Sequence, residues 1–163
     1  MGRLYAPWRS VYLMGGQPAS GCLFCEIAAA EPDRDRDNFV LERGREWFVM
    51  INRYPYTTGH VMVVSRCHVE KVSDLGAEEG AEMVQLLARC ERAIKRAYGP
   101  DGINLGANLG RSAGAGIIGH FHLHMVPRWH GDTNFMSVVA ETRVVSEDLH
   151  VTYDRLLGAL RES

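Results

Sequence analysis

The sequence predicts an α+β domain with a mainly antiparallel sheet, one long helix and a further helix at the C-terminal end. Three observations carry this. Apolar runs over residues 39–42, 47–51 and 60–65, separated by turn-forming residues, read as strands. Over 77–98, Met83, Leu87, Cys90 or Ile94, and Ala97 recur at three- to four-residue steps, the period of a helix. Over 119–127, apolar residues alternate with His120, His122 and His124, the period of a strand.

The 163 residues are 46% hydrophobic and 23% charged, which fits one domain able to bury a core. A formal net charge of −2 supplies no broad basic surface, so long nucleic acids are not expected partners. No apolar run approaches a membrane span. The N-terminal stretch lacks a signal-peptide core, because Trp8-Arg9-Ser10 and Gly15-Gly16-Gln17 interrupt it. With four cysteines, a reducing, cytoplasmic setting is expected, with metal rather than disulfides as the role of the thiols.

In chain order, residues 1–21 form an arm. Leu4, Tyr5, Trp8, Val11, Tyr12 and Leu13 are too apolar for a free tail, so it covers the domain's own core or a second subunit. Cys22-Leu23-Phe24-Cys25 leads into a short helix over 26–30. The pair can place two thiolates on one zinc ion, or act as a redox pair; zinc needs two further ligands. Residues 31–38 read as a charged loop. The strands at 39–42 and 47–51 flank the turn Arg43-Gly44-Arg45; loop 52–59 and the strand 60–65 follow.

Gly99-Pro100-Asp101-Gly102 stops the long helix, and 103–108 reads as a strand. The loop 110–116 holds three glycines and Ser112. It is either a hairpin connection or a cradle whose backbone N–H groups approach phosphate. In the next strand Phe121, Leu123 and Met125 share one face and the histidines the other, their Cα atoms about 6–7 Å apart. Three imidazoles in register need partners for six ring nitrogens, which points to a metal site, a histidine nucleophile, or both. The last helix spans 146–161, with Ser146 as N-cap, Glu147 and Asp148 in its first turn, and an apolar face of Leu149, Tyr153, Leu156, Leu157 and Leu160.

The segment His120-Phe121-His122-Leu123-His124-Met125-Val126 resembles the signature of the histidine-triad (HIT) superfamily. Asn52-Arg53-Tyr54-Pro55 with Gly59-His60-Val61-Met62-Val63-Val64 resembles that family's ribose-binding loop and following strand. Asn108-Leu109-Gly110 resembles the strand end before its phosphate loop. The likeness covers residues 22–130. It divides the chain into the arm 1–21, a HIT domain at 22–136 and a C-terminal extension at 137–163, and it implies a HIT-like fold that pairs as a homodimer.

For the site, the resemblance implies His122 as a nucleophile that takes a nucleotidyl group, His124 as the residue polarising the phosphate, and His60 as its support. Asn108, Ser112 and the backbone near Gly114 and Gly116 would hold phosphate oxygens, together with His124. Asn52 would hold the ribose, and Ile27, Phe48, Met50 and Met62 would form an apolar slot for the base. It also supplies the two missing metal ligands: Cys22, Cys25, His68 and His120 would hold a structural zinc, leaving Cys67 as a spare thiol.

Gly116 stands where many members carry a Gln, which argues against simple phosphoramidate hydrolysis. The tail Pro127-Arg128-Trp129-His130-Gly131-Asp132-Thr133-Asn134-Phe135-Met136, with Leu4-Tyr5-Ala6-Pro7-Trp8-Arg9, resembles the bacterial branch of diadenosine tetraphosphate phosphorylases and hydrolases. On that likeness Arg128, Trp129 and Asn134 would meet the second half of a dinucleotide. The expected function is cleavage of dinucleoside polyphosphates with water or phosphate as acceptor. The alternatives are a nucleoside phosphoramidate hydrolase and a nucleotide-binding adaptor with vestigial catalysis.

Overall fold

The computed structural model describes residues 21–132 and 147–162. The arm at 1–20, Asn134 and Ser146 lie outside them. The described helices are α1 (Leu23–Ala29), α2 (Asp35–Asn38), α3 (Ala77–Tyr98) and α4 (Leu149–Arg161). The strands are β1 (Val40–Arg43), β2 (Trp47–Ile51), β3 (Val61–Ser65), β4 (Gly102–Gly106) and β5 (His122–Arg128). They form one antiparallel sheet in the order β1-β2-β3-β5-β4.

Alternation sorts the side chains to two faces. On one face Trp47, Val49, Ile51, Val61, Val63, Phe121 and Met125 pack against α3 and α4. Leu86, Leu87, Cys90, Ala93 and Ile94 are the inward residues of α3; Tyr153, Leu156, Ala159 and Leu160 are those of α4. The opposite face carries Val40, Phe48, Met50, Met62 and Val64, covered by Phe24 and Ile27 of α1. The register sets the site: Met50 pairs with Met62 and Met62 with His124, while Phe48 pairs with Val64 and Val64 with His122. His122 and His124 therefore emerge on the α1 side of the sheet.

α3 keeps its expected limits. The Glu79 carboxylate accepts from the Gly76 N–H at its start, and Gly99 ends it in the left-handed region with φ 55°. Five other expectations need correction. The short helix expected over 26–30 is α1, Leu23–Ala29, which takes in Cys25 and has Cys22 as its N-cap. Residues 31–38 are not a plain loop but a single 3₁₀ turn at Pro32–Arg34 and the short helix α2. Phe39 ends α2 at φ 58°, and its buried ring lies 4.9 Å from that of His150, so β1 begins one residue late. The fourth strand spans Gly102–Gly106 rather than 103–108. Asp148 caps α4, its carboxylate accepting from the His150 N–H at 2.8 Å, so Glu147 and Asp148 precede the helix rather than fill its first turn.

Candidate functional site

Each histidine of 120–124 has one ring nitrogen committed to a defined partner, and that commitment decides what the other can do. His120 precedes the regular ladder of β5 and is 2% exposed. Its Nε2–H donates to the carbonyl of Ser65 at 2.7 Å, which leaves the lone pair on Nδ1. That Nδ1 faces Cys22 Sγ at 3.2 Å and Cys25 Sγ at 3.5 Å, and Cys25 Sγ lies 3.3 Å from His68 Nδ1.

The ligand atoms of Cys22, Cys25, His68 and His120 all lie within 4.8 Å of one another. A tetrahedron of sulfur and nitrogen around one zinc has edges of roughly 3.3–3.8 Å. The donor set fits zinc in its chemistry, and the three separations of 3.2, 3.3 and 3.5 Å lie close to such edges, the widest pair having about 1 Å to close. Burial, then the neighbouring Cys22, raises the Cys25 thiol above its ordinary range, which a cation between the two sulfurs would reverse. Cys67 is exposed beside His68.

His122 is turned the other way. Its Nδ1–H donates to the His120 carbonyl at 2.8 Å, so the unprotonated nitrogen is Nε2. Burial holds its pKa below the ordinary histidine range and keeps the ring neutral. Phe24 of α1 is 1% exposed, and its ring lies 5.3 Å from that of His120 and 5.0 Å from that of His122, edge-on to both. Both imidazoles are thus fixed by one aromatic side chain.

His124 is oriented by a relay. The Tyr56 N–H donates to His60 Nδ1 at 3.1 Å, so His60 carries its proton on Nε2. That nitrogen lies 3.0 Å from His124 Nδ1 and donates to it, which leaves the His124 proton on Nε2. His60, expected only to support the cluster, is fully buried and sets the tautomer of its neighbour.

The other expected residues fall as follows. Asn108 donates from Nδ2 to the Gly114 carbonyl at 3.4 Å, tying the glycine loop together, with Ser112 and Gly116 exposed on that loop. Asn52 Oδ1 accepts from the Tyr54 N–H at 2.9 Å and shapes its own turn. Ile27, Phe48, Met50 and Met62 are all buried in the cluster under the histidine face. An open depression lined by Leu23, Glu26, Ile27, Ala30, Arg34 and Asn38 adjoins it on α1.

Arg128 is engaged within the fold. Its guanidinium takes Asp132 with two nitrogens, Nη2 at 2.8 Å, and Asn104 with the third. The acid four residues on, in the turn after β5, competes for it. Trp129 is half-buried.

Three groups escape a motif reading: Phe24, the Ser65 carbonyl and the Tyr56 N–H. Phe24 stands inside the Cys-x-x-Cys pair, where its large apolar side chain was the available signal. The other two are backbone groups that no residue type marks.

A HIT-domain family profile matches residues 34–131. The chain is 36% identical over 155 residues to a Mycobacterium tuberculosis protein named AP-4-A phosphorylase, covering 92% of this chain and 80% of that one. It is 31% identical over 115 residues to an uncharacterised HIT-like protein of Saccharolobus solfataricus, covering 71% and 79%. Among solved structures, a Zn-bound histidine triad family protein from Mycobacterium smegmatis superposes with a TM-score of 0.69 at 26% identity, over 87% of this chain and 94% of that one.

Proposed function

The chain belongs to the HIT family of nucleotide hydrolases and transferases, and on that premise we propose that it cleaves dinucleoside polyphosphates such as diadenosine tetraphosphate at a phosphoanhydride. The observation that carries the reading is His122: a buried, neutral imidazole whose Nδ1–H is held by the His120 carbonyl and whose Nε2 lone pair is therefore the reactive one.

His122 Nε2 attacks the α-phosphorus; the N–P bond forms as the bond to the bridging oxygen breaks, and the remaining nucleoside polyphosphate leaves with that electron pair. His124, held as the Nε2–H tautomer by His60, donates to the phosphoryl oxygens as charge builds. Asn108 and the loop 110–116 supply further donors, and Asn52 holds the ribose. Water or inorganic phosphate then attacks the nucleotidyl-histidine, and His122 departs as the neutral ring. The base lies at the open depression on α1 beside Ile27, because Phe48, Met50 and Met62 are buried beneath that helix.

Cys22, Cys25, His68 and His120 would hold a zinc ion whose contribution is structural, since four protein ligands close the tetrahedron. The similarity to the Mycobacterium tuberculosis phosphorylase favours phosphate as the acceptor. The absence of a side chain at Gly116 favours an anhydride substrate over a phosphoramidate.

The homodimer reading is supported by β4, an edge strand of the sheet that leaves Leu105 54% exposed, and by Leu109, 50% exposed in the loop that follows it. Product analysis with diadenosine tetraphosphate tests the function: ATP and phosphate-dependent ADP are expected. Turnover confined to a nucleoside phosphoramidate overturns it, and binding without turnover points to the adaptor.

A further inference from the structure

We propose that Tyr98 is a positioning residue for the His60–His124 pair, braced by Glu147 at the entrance to α4, a role that rests on the reading of His124 given above. The contact begins at Gly59, the residue before His60. Its φ is +79°, and a Cβ placed there would lie 2.9 Å from Cε2 and 3.0 Å from Cδ2 of Tyr98. Pro127 Cγ of β5 lies 3.4 Å from the same point. The tyrosine ring thus fills the space a side chain at 59 would need and packs directly on backbone.

Inside the loop the bonds converge on His60. Thr57 Oγ1 donates to the Pro127 carbonyl at 2.8 Å, the His60 N–H donates to the Thr57 carbonyl at 3.3 Å, and the Tyr56 N–H donates to His60 Nδ1 at 3.1 Å. On its other side Tyr98 is tethered. Its hydroxyl donates to Glu147 Oε2 at 2.6 Å, and the same oxygen accepts from Thr152 Oγ1 at 2.9 Å. Arg155 pairs with Glu147 at 3.1 Å and lies over the Tyr98 ring, 5.2 Å from its centroid. Burial and the adjacent carboxylate keep the phenol protonated, hence a donor.

The consequence is chemical. His60 donates to His124 only while the Tyr56 N–H occupies its Nδ1; release of that bond leaves His60 free to take either tautomer. His124 would then present a lone pair, instead of N–H, to the phosphate for part of the time. Tyr98 holds Gly59 in place and so holds the relay in one direction.

The test uses the full chain and the variants Tyr98→Phe, Tyr98→Ala and Glu147→Gln. Arg96→Ala is the control, since its exposed partner Glu162 joins the ends of the same two helices. Histidine-ring ¹⁵N spectra at neutral pH report the tautomers, and diadenosine tetraphosphate kinetics report kcat and KM separately. Tyr98→Ala is expected to lower kcat about tenfold with KM little changed, and to move the His60 and His124 ring signals toward tautomer-averaged positions. Tyr98→Phe and Glu147→Gln keep the ring and should lower kcat about threefold, the scale of one net hydrogen bond.

Arg96→Ala should change neither readout. Unmoved ring signals and unchanged kcat in a folded Tyr98→Ala overturn the proposal. If that variant does not fold, the same null result in Tyr98→Phe overturns it. If the unaltered protein does not turn over the dinucleotide, the functional reading fails, while the ring spectra still decide whether Tyr98 sets the tautomers.

Discussion

His60 Nε2 lies 3.0 Å from His124 Nδ1, and because the Tyr56 N–H already occupies His60 Nδ1, the bond runs from His60 to His124. A histidine that precedes β3 thereby fixes the proton of one on β5. Replacing His60 with Ala removes the donor, frees His124 to change tautomer and leaves a cavity. A loss of about a hundredfold in kcat, larger than any change in KM, is expected in steady-state kinetics. A His60→Ala variant at full kcat would detach His124 from the relay.

Phe24 joins the two halves of the site. Its ring touches both His120 and His122 and packs on Phe48 with centroids 6.5 Å apart. Phe24→Ala is expected to cost about 3–5 kcal/mol in denaturant unfolding and to weaken metal retention as well as turnover. Phe24→Leu should restore most of the stability.

Metal analysis should find about one zinc per chain in protein prepared without chelator. The thiols give an independent reading. With metal bound, Cys67 is the described cysteine open to alkylation; chelation should add Cys22 and Cys25. Cys90 should stay unreactive until unfolding, because burial pushes its pKa up to about 12 and only the thiolate reacts. Full reactivity of Cys22 and Cys25 in the untreated protein would count against the zinc site.

The exposed edge of β4 predicts self-association. Light scattering should give a dimer near twice 18.2 kDa. Leu105→Lys, which places a charge on that edge at a side chain 54% exposed, should shift it toward monomer. A dimer insensitive to Leu105→Lys would place the contact elsewhere.

The fold was legible wherever an apolar run or a helical spacing was unbroken. The runs at 47–51 and 60–65 are strands buried on both faces, the second starting at Val61, and the helix at 77–98 spaces its apolar residues to the face it buries. The site was legible where residue type alone limits the chemistry, as with three alternating histidines and two thiols three residues apart. Phe39 was not, because its left-handed backbone is stabilised by packing on α4, more than a hundred residues away in sequence. The pairing of Arg128 with Asp132 was not legible, since a guanidinium's partner depends on which acid folds beside it. The direction of the His60–His124 bond rests on a backbone N–H, which every non-proline residue has and no sequence pattern distinguishes.

The central claim, that His122 carries the nucleotidyl group, is tested most directly by rapid quench of the protein with diadenosine tetraphosphate into base, where a phosphorus–nitrogen bond survives, followed by intact mass and peptide mapping. One adenylyl group is expected on the peptide containing His122, formed before product and absent from His122→Ala, which should bind nucleotide but not turn it over. Product release without that adduct, or substantial turnover by His122→Ala, would contradict it.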